Sequence, residues 1–131
     1  MANSVISTVV HDGARNVLIE VTGILDTSDY AQADITTISG LTPVPTNLRL
    51  DTIQFAIQDT CAVMLWWHDT AGTSLIAPLA GRGRLDFGWF GGRNNPNNAG
   101  YTGNIQVSTQ GWLSGAVLHW TLLLDCIKQG V

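Results

Sequence analysis

Residues 48–58 read Leu48-Arg49-Leu50-Asp51-Thr52-Ile53-Gln54-Phe55-Ala56-Ile57-Gln58, and residues 61–68 read Cys61-Ala62-Val63-Met64-Leu65-Trp66-Trp67-His68. In the first run Ile53, Phe55 and Ile57 alternate with Thr52, Gln54 and Gln58. That period of two puts one set on each face of a strand. Asp59-Thr60 supplies a turn, and in Ala62–His68 Val63, Leu65 and Trp67 alternate with Met64 and Trp66. Both faces of that second run are apolar, which predicts a central strand covered on both sides. The pair sets an all-β expectation.

The same pattern recurs outward in both directions. Ser4–His11 and Asn16–Thr22 are β-branched runs around Asp12-Gly13, a dipeptide that tolerates the positive φ of a two-residue hairpin turn. Val17, Ile19 and Val21 share one face of the second run. Residues 23–47 break the period with Asp26, Ser28, Asp29, Gly40, Pro43 and Pro45. They read as a surface excursion with one short strand around Ile35–Ile38, the kind of long loop that makes contacts. After a turn at Asp69–Ser74, Leu75–Leu79 contains Pro78 and belongs at a sheet edge. Gly81–Gly103 holds seven of the fourteen glycines and ends in the loop Asn94–Asn98. Asn104–Thr109 and Ala116–Ile127 close the chain as strands joined by Gly111–Gly115. Val117, Trp120, Thr121 and Ile127 favour β over helix in the last of these.

No amphipathic helix and no internal repeat is visible. Strands at this spacing with glycine-rich turns predict one domain over residues 1–131. Its expected architecture is an antiparallel β-sandwich or jelly-roll-like fold.

Composition narrows the function classes. Charged residues make up 12% of the chain, so the exterior must be built largely from Thr, Ser, Asn, Gln and Gly. Lys128 is the only lysine. Lysine is depleted at protein interfaces, and a lysine-poor exterior fits surface that faces other protein. The net charge of -4 disfavours nucleic-acid binding, which needs clustered Lys and Arg. Residues 1–70 hold eight acids and two bases, whereas residues 71–131 hold two acids and four bases. A chain so divided can pair with copies of itself or with a partner of mixed sign. The start MANSVISTVV has no basic region or long apolar run, so no secretory route and no membrane span are expected.

Candidate chemistry is sparse. His11-Asp12 and His68-Asp69 lie at strand ends, where neighbouring side chains point to opposite faces and do not converge on one ion. Cys61 and Cys126 sit in apolar segments and read as buried free thiols, with a bridge between them as the alternative. No Gly-x-Ser-x-Gly elbow occurs, and the ten acids lie mostly in turns. No catalytic, cofactor or metal site is therefore expected. Gly81-Arg82-Gly83-Arg84 is the one basic cluster, with three readings: an interface anchor, a phosphate contact or an ordinary solvated strand start. Among five tryptophans, Trp66, Trp67 and Trp120 read as core. Trp89 and Trp112, in glycine-rich connections, either cap the core or meet a partner. With the Asn-rich loop they also resemble a sugar-binding platform.

Several stretches resemble a family of small structural proteins encoded near the major capsid protein in tailed-bacteriophage genomes. They are Val5–Val17, Asp26–Asp29, Gly81–Phe87 with Phe90-Gly91-Gly92, Tyr101–Ile105, Ser108–Trp112, and Leu118 with Thr121-Leu122. The resemblance covers most of the chain and contains no chemical signature. It implies a virion component, a decoration (cement) protein on the outer capsid surface, bound to the major capsid protein as a trimer or dimer. A tail or neck role is implied by the same resemblance. The expected interface residues are Arg82, Arg84, Trp89, Phe90, Arg93, Asn94, Asn95, Asn97, Asn98 and Trp112.

Overall fold

The computed structural model describes residues 3–31, 33–35, 40–45, 47–58, 60–69, 72–93 and 101–129. Among the described residues nine strands follow in order: β1 (Ser4–Asp12), β2 (Asn16–Leu25), β3 (Ala33–Asp34), β4 (Asn47–Ile57), β5 (Ala62–Asp69), β6 (Gly72–Leu79), β7 (Arg82–Asp86), β8 (Tyr101–Gln110) and β9 (Leu118–Gln129). They form two antiparallel sheets, one of five strands in the order β1-β2-β9-β4-β7 and one of four in the order β3-β8-β5-β6. The chain is an all-β sandwich. Among the described residues no helix is long and apolar enough to cross a membrane.

Strand β9 is the spine of the larger sheet, pairing β2 on one side and β4 on the other. Its inward residues Leu118, Trp120, Leu122, Leu124 and Cys126 are all buried. They meet Val63, Leu65 and Trp67 of β5 and Ile105 and Val107 of β8 in one apolar cluster. Each fully buried Leu or Ile removes enough apolar surface for about 1.5–3 kcal/mol, so this seam dominates the favourable side of folding.

Several local expectations need correction. The inward set of β4 is not one parity: Leu48 and Leu50 are buried, and so are Ile53 and Ile57. A bulge between Leu50 and Thr52 re-phases the strand, so both halves point their apolar residues inward. Strand β5 is central, as its pattern implied, but only one of its faces is covered. Val63, Leu65 and Trp67 are buried, whereas Met64 and Trp66 lie half-buried on the outside. Trp66 is thus not core; its indole N–H donates to Ser108 Oγ at 2.9 Å.

The excursion after β2 is only partly surface. Leu25 extends β2, and Ile35 and Leu41 plug the core. The short strand falls at Ala33–Asp34, paired with β8, while residues 36–39 lie outside the described residues. Asp29 ties the segment down by accepting from Thr109 Oγ1 at 3.2 Å and from the Trp112 backbone N–H at 3.0 Å. The expected turn after β5 is shorter, because β5 reaches Asp69 and β6 starts at Gly72. Gly81–Gly103 contains a strand, β7, which pairs with β4, and a 3₁₀ turn at Gly88–Phe90.

The first hairpin forms without the expected two-residue turn. The register pairs Asp12 with Val17, and Gly13 N–H donates to Asn16 O at 2.8 Å. Asp12 stays in the strand because its carboxylate is in use. Lys128 extends from β9 with its side chain wholly buried, and Nζ lies 2.6 Å from Asp12 Oδ1. The other carboxylate oxygen accepts from Thr42 N–H at 2.9 Å. These hydrogen bonds, first from Lys128 and then from Thr42, hold the Asp12 carboxyl below its ordinary range. A lowered folded value means stabilisation that is present above the ordinary carboxylate range and is lost as pH falls through the folded value.

Two predictions follow from these contacts. Asp12→Asn strands a buried ammonium and lowers the melting temperature more than Lys128→Met, which removes the charge and keeps the stem. Comparing the two melts at neutral pH, and seeing the gap between the parent and Asp12→Asn shrink as acid protonates Asp12 in the parent, checks the assignment. Second, Gly23 faces inward directly under the Trp120 indole, and any Cβ there meets the ring. Gly23→Val costs about 1–3 kcal/mol or more by overpacking. Urea unfolding with an unchanged m-value measures it.

Candidate functional site: a trough on the outer face of the five-stranded sheet

The outward residues of the larger sheet line up in cross-strand rungs. One runs Arg82, Ala56, Thr121, Thr22 from β7 to β2; the next runs Arg84, Gln54, Leu123, Glu20. A third joins Asp86, Thr52, Asp125 and Leu18. Small side chains, Ala56 and Thr121, stand in the middle of the first rung. The result is an open depression of about 300 Å³ between β4, β7 and β9, floored by Ala56, Thr121 and Leu123 and walled by Arg84. It continues toward Arg82 and His119 at one end and toward Leu18 and Asp125 at the other.

Arg82 and Arg84 are both exposed on the outer face of an edge strand. Arg84 Nη2 lies 3.8 Å from Asp86 Oδ2 with both side chains more than half exposed, a pairing too loose and too wet to hold the guanidinium. Its fork is therefore available to a carboxylate or carbonyl from outside. Asp125 faces the same trough. Partial burial, and then the charge of Asp51, raise its carboxyl above the ordinary value, with Arg84 acting in the opposite direction. The trough offers apolar floor, two guanidinium forks and scattered acids. That suits an extended or looped protein segment carrying carbonyls and a carboxylate.

The remaining expected interface residues are dispersed. Trp89, in the 3₁₀ turn after β7, is 82% exposed and stands on the same edge as the arginines. Phe90 follows it in the turn. Arg93 is half-buried, and its backbone exchanges hydrogen bonds with Leu50 at 2.7 and 3.0 Å, locking the segment after the turn to β4. Asn94, Asn95, Asn97 and Asn98 lie outside the described residues. Trp112 caps the core instead of joining Trp89: it is half-buried, packs against the apolar cluster, and donates its indole N–H to Ala116 O at 2.9 Å. Trp89 is then the single exposed tryptophan of the five, so no aromatic platform is assembled.

The His68-Asp69 pair separates as its strand positions imply. His68 Nδ1 lies 3.0 Å from Asp34 Oδ1, whereas Asp69 is buried and accepts from Ser74 Oγ at 2.8 Å. Both cysteines are buried free thiols, and burial pushes each thiol up, Cys126 furthest. Among the described residues no group of three His, Cys, Asp or Glu side chains could hold a metal ion.

Residue-by-residue reading of the sequence missed the trough. Gln54, Ala56, Thr121 and Leu123 are ordinary strand residues, and only the pairing of β7 with β4 makes them a surface. The alternation of Gln54 and Ala56 with buried neighbours was the one signal present. Comparison with family models, curated proteins and solved structures finds no match.

The raised Asp125 carboxyl gives a testable sign. Stability tied to its protonated form is present below the ordinary carboxylate range and lost as pH rises through the folded value. Asp125→Asn therefore melts higher than the parent at neutral pH and equal to it in acid. Paired thermal melts across that range check this.

Proposed function

We propose that this chain is a bacteriophage capsid decoration protein, bound to the outer surface of the major capsid protein shell and stabilising it. The observation that carries the reading is the character of the exterior. Its one lysine is withdrawn completely into the core, so no lysine side chain reaches solvent. At the same time Ile6, Val10, Val44, Leu113 and Trp89 are each more than half exposed. Free surfaces of monomeric proteins carry lysine and avoid such accumulation of apolar side chains; surfaces destined for contact do the reverse. The resemblance of Val5–Val17, Gly81–Phe87 and Ser108–Trp112 to a phage structural family supplies the identity of the covering partner.

A decoration protein acts mechanically. It needs a stiff body and contact groups that reach across neighbouring capsid subunits. The sandwich supplies the body. The trough with Arg82 and Arg84, continued by Trp89 along the same edge, supplies a polar anchor beside an aromatic one, the pairing that dominates binding energy at interfaces. Each copy adds buried area across joints that internal pressure opens, and many weak copies over a shell sum to a large resistance. The tail or neck reading uses the same surface; the sugar-binding reading loses its support with the separation of Trp89 from Trp112.

Co-sedimentation with tail-less capsids tests the proposal. The parent chain pellets with capsids, and Trp89→Ala and Arg84→Glu each weaken binding about tenfold or more, a loss of ~1.4 kcal/mol or above. Binding to tails and not to heads, or capture by a glycan surface that Trp89→Ala abolishes, counts against it.

A further inference from the structure

We infer that the free edge of β1 pairs antiparallel with β1 of a second copy, joining two five-stranded sheets into one. The two sheets present four edge strands, and three carry features that block strand addition. On β7, Arg82, Arg84 and Asp86 project from the edge. On β6, Pro78 removes a backbone donor. On β3 only two of the described residues are in the sheet. These are the ordinary devices by which proteins keep sheet edges from associating.

Over Ser4–Val9 β1 has none of them; its register shift and its one charged residue, Asp12, lie at the far end. From Ser4 to Val10 it reads Ser-Val-Ile-Ser-Thr-Val-Val, without charge, proline or glycine. Its pairing is with β2 alone, so the backbone groups on its other side face outward along the strand. It also overhangs the narrower sheet: only Val5 is half-buried, and Ile6, Val9 and Val10 are 58%, 48% and 54% exposed. A long, apolar, unblocked edge is a template for another strand.

The strand's own sequence selects the occupant. Antiparallel addition keeps each side chain on its face, so opposed residues of two identical strands must have the same parity. Centred on Ser7, the register opposes Val5 to Val9 and Ser7 to Ser7 on the inner face, and Ile6 to Thr8 on the outer face. Every pair is uncharged, and the flanking pairs are β-branched on both sides, which is what cross-strand pairing favours. His11 and Asp12 fall outside the paired segment. The inner pairs cover Val9, which the smaller sheet leaves open.

The inference stands apart from the capsid reading, and its test uses the purified chain alone. Sedimentation equilibrium should show a concentration-dependent dimer. Ser7→Lys places two ammonium groups directly opposite each other on the two-fold axis and should return the chain to monomer with unchanged circular dichroism. Ser7→Cys covers the case in which the lysine variant fails to fold. It should form a covalent dimer under mild oxidation, while the parent, whose thiols are both buried, does not. A parent chain that stays monomeric at every concentration, a folded Ser7→Lys dimer, or a Ser7→Cys chain that never cross-links overturns the inference.

Discussion

The structure depends on β9 being held on both sides along nearly its whole length. From Leu118 to Ile127 each residue has a partner in β2, and from Trp120 to Gln129 each also has one in β4. Its backbone groups are thereby satisfied without water, which is the condition for placing five consecutive inward side chains in the core. Trp120 is the largest of them. Its ring fits only because β2 offers Gly23 opposite, where a side chain of any size would stand in the indole's place. The same strand ends in Lys128, whose buried ammonium fixes the first hairpin through Asp12. One strand thus couples the core, the hairpin and the 41–45 segment.

That coupling explains which parts of the fold were legible in the sequence. β2, β4 and β8 alternate apolar and polar residues because each has one face in the core, and alternation is a local signal. The bulge in β4 was not legible, since Leu50-Asp51-Thr52 carries no residue that demands an extra step; the demand comes from keeping Leu50 and Ile53 on one side. β7 was hidden in Gly81-Arg82-Gly83-Arg84, whose weak strand propensity is overridden by pairing with β4. Trp66 and Trp67 look alike in sequence, yet one is half-buried and the other buried, because the outer face of β5 has no covering layer. The candidate site shared this fate. Arg82, Arg84 and Trp89 could be singled out by type, but the trough beside them is a product of three strands meeting.

The exterior follows from the same economy of charge. With few ionic groups, and with Lys128 committed to the interior, the surface presents threonine, amide and aliphatic groups over both sheets. Three of the charges that remain, Arg82, Arg84 and Asp86, stand on β7, where they guard an edge and line a trough at once. One placement serves two purposes. The guanidinium groups discourage a strand and remain free to meet a carboxylate or carbonyl presented by a differently shaped surface.

The unequal treatment of the edges also sets what association can do. A strand added head-to-tail at an edge leaves another edge open and propagates into a fibre, whereas addition about a two-fold axis uses the same edge on both partners and closes. Among the described residues the one unblocked edge is β1. Once two copies meet there, the joined sheet ends in β7 on both sides, behind Arg82, Arg84 and Asp86. Growth stops at two by construction, with no further device required. The outer faces of the two sheets then lie side by side, each with its own trough near the far edge, so a partner that recognises one trough meets two related by symmetry. Weak contacts at two such sites reinforce each other through effective concentration, provided the partner's spacing matches that of the joined sheet. A repeating surface satisfies that geometric demand more readily than a single small ligand does.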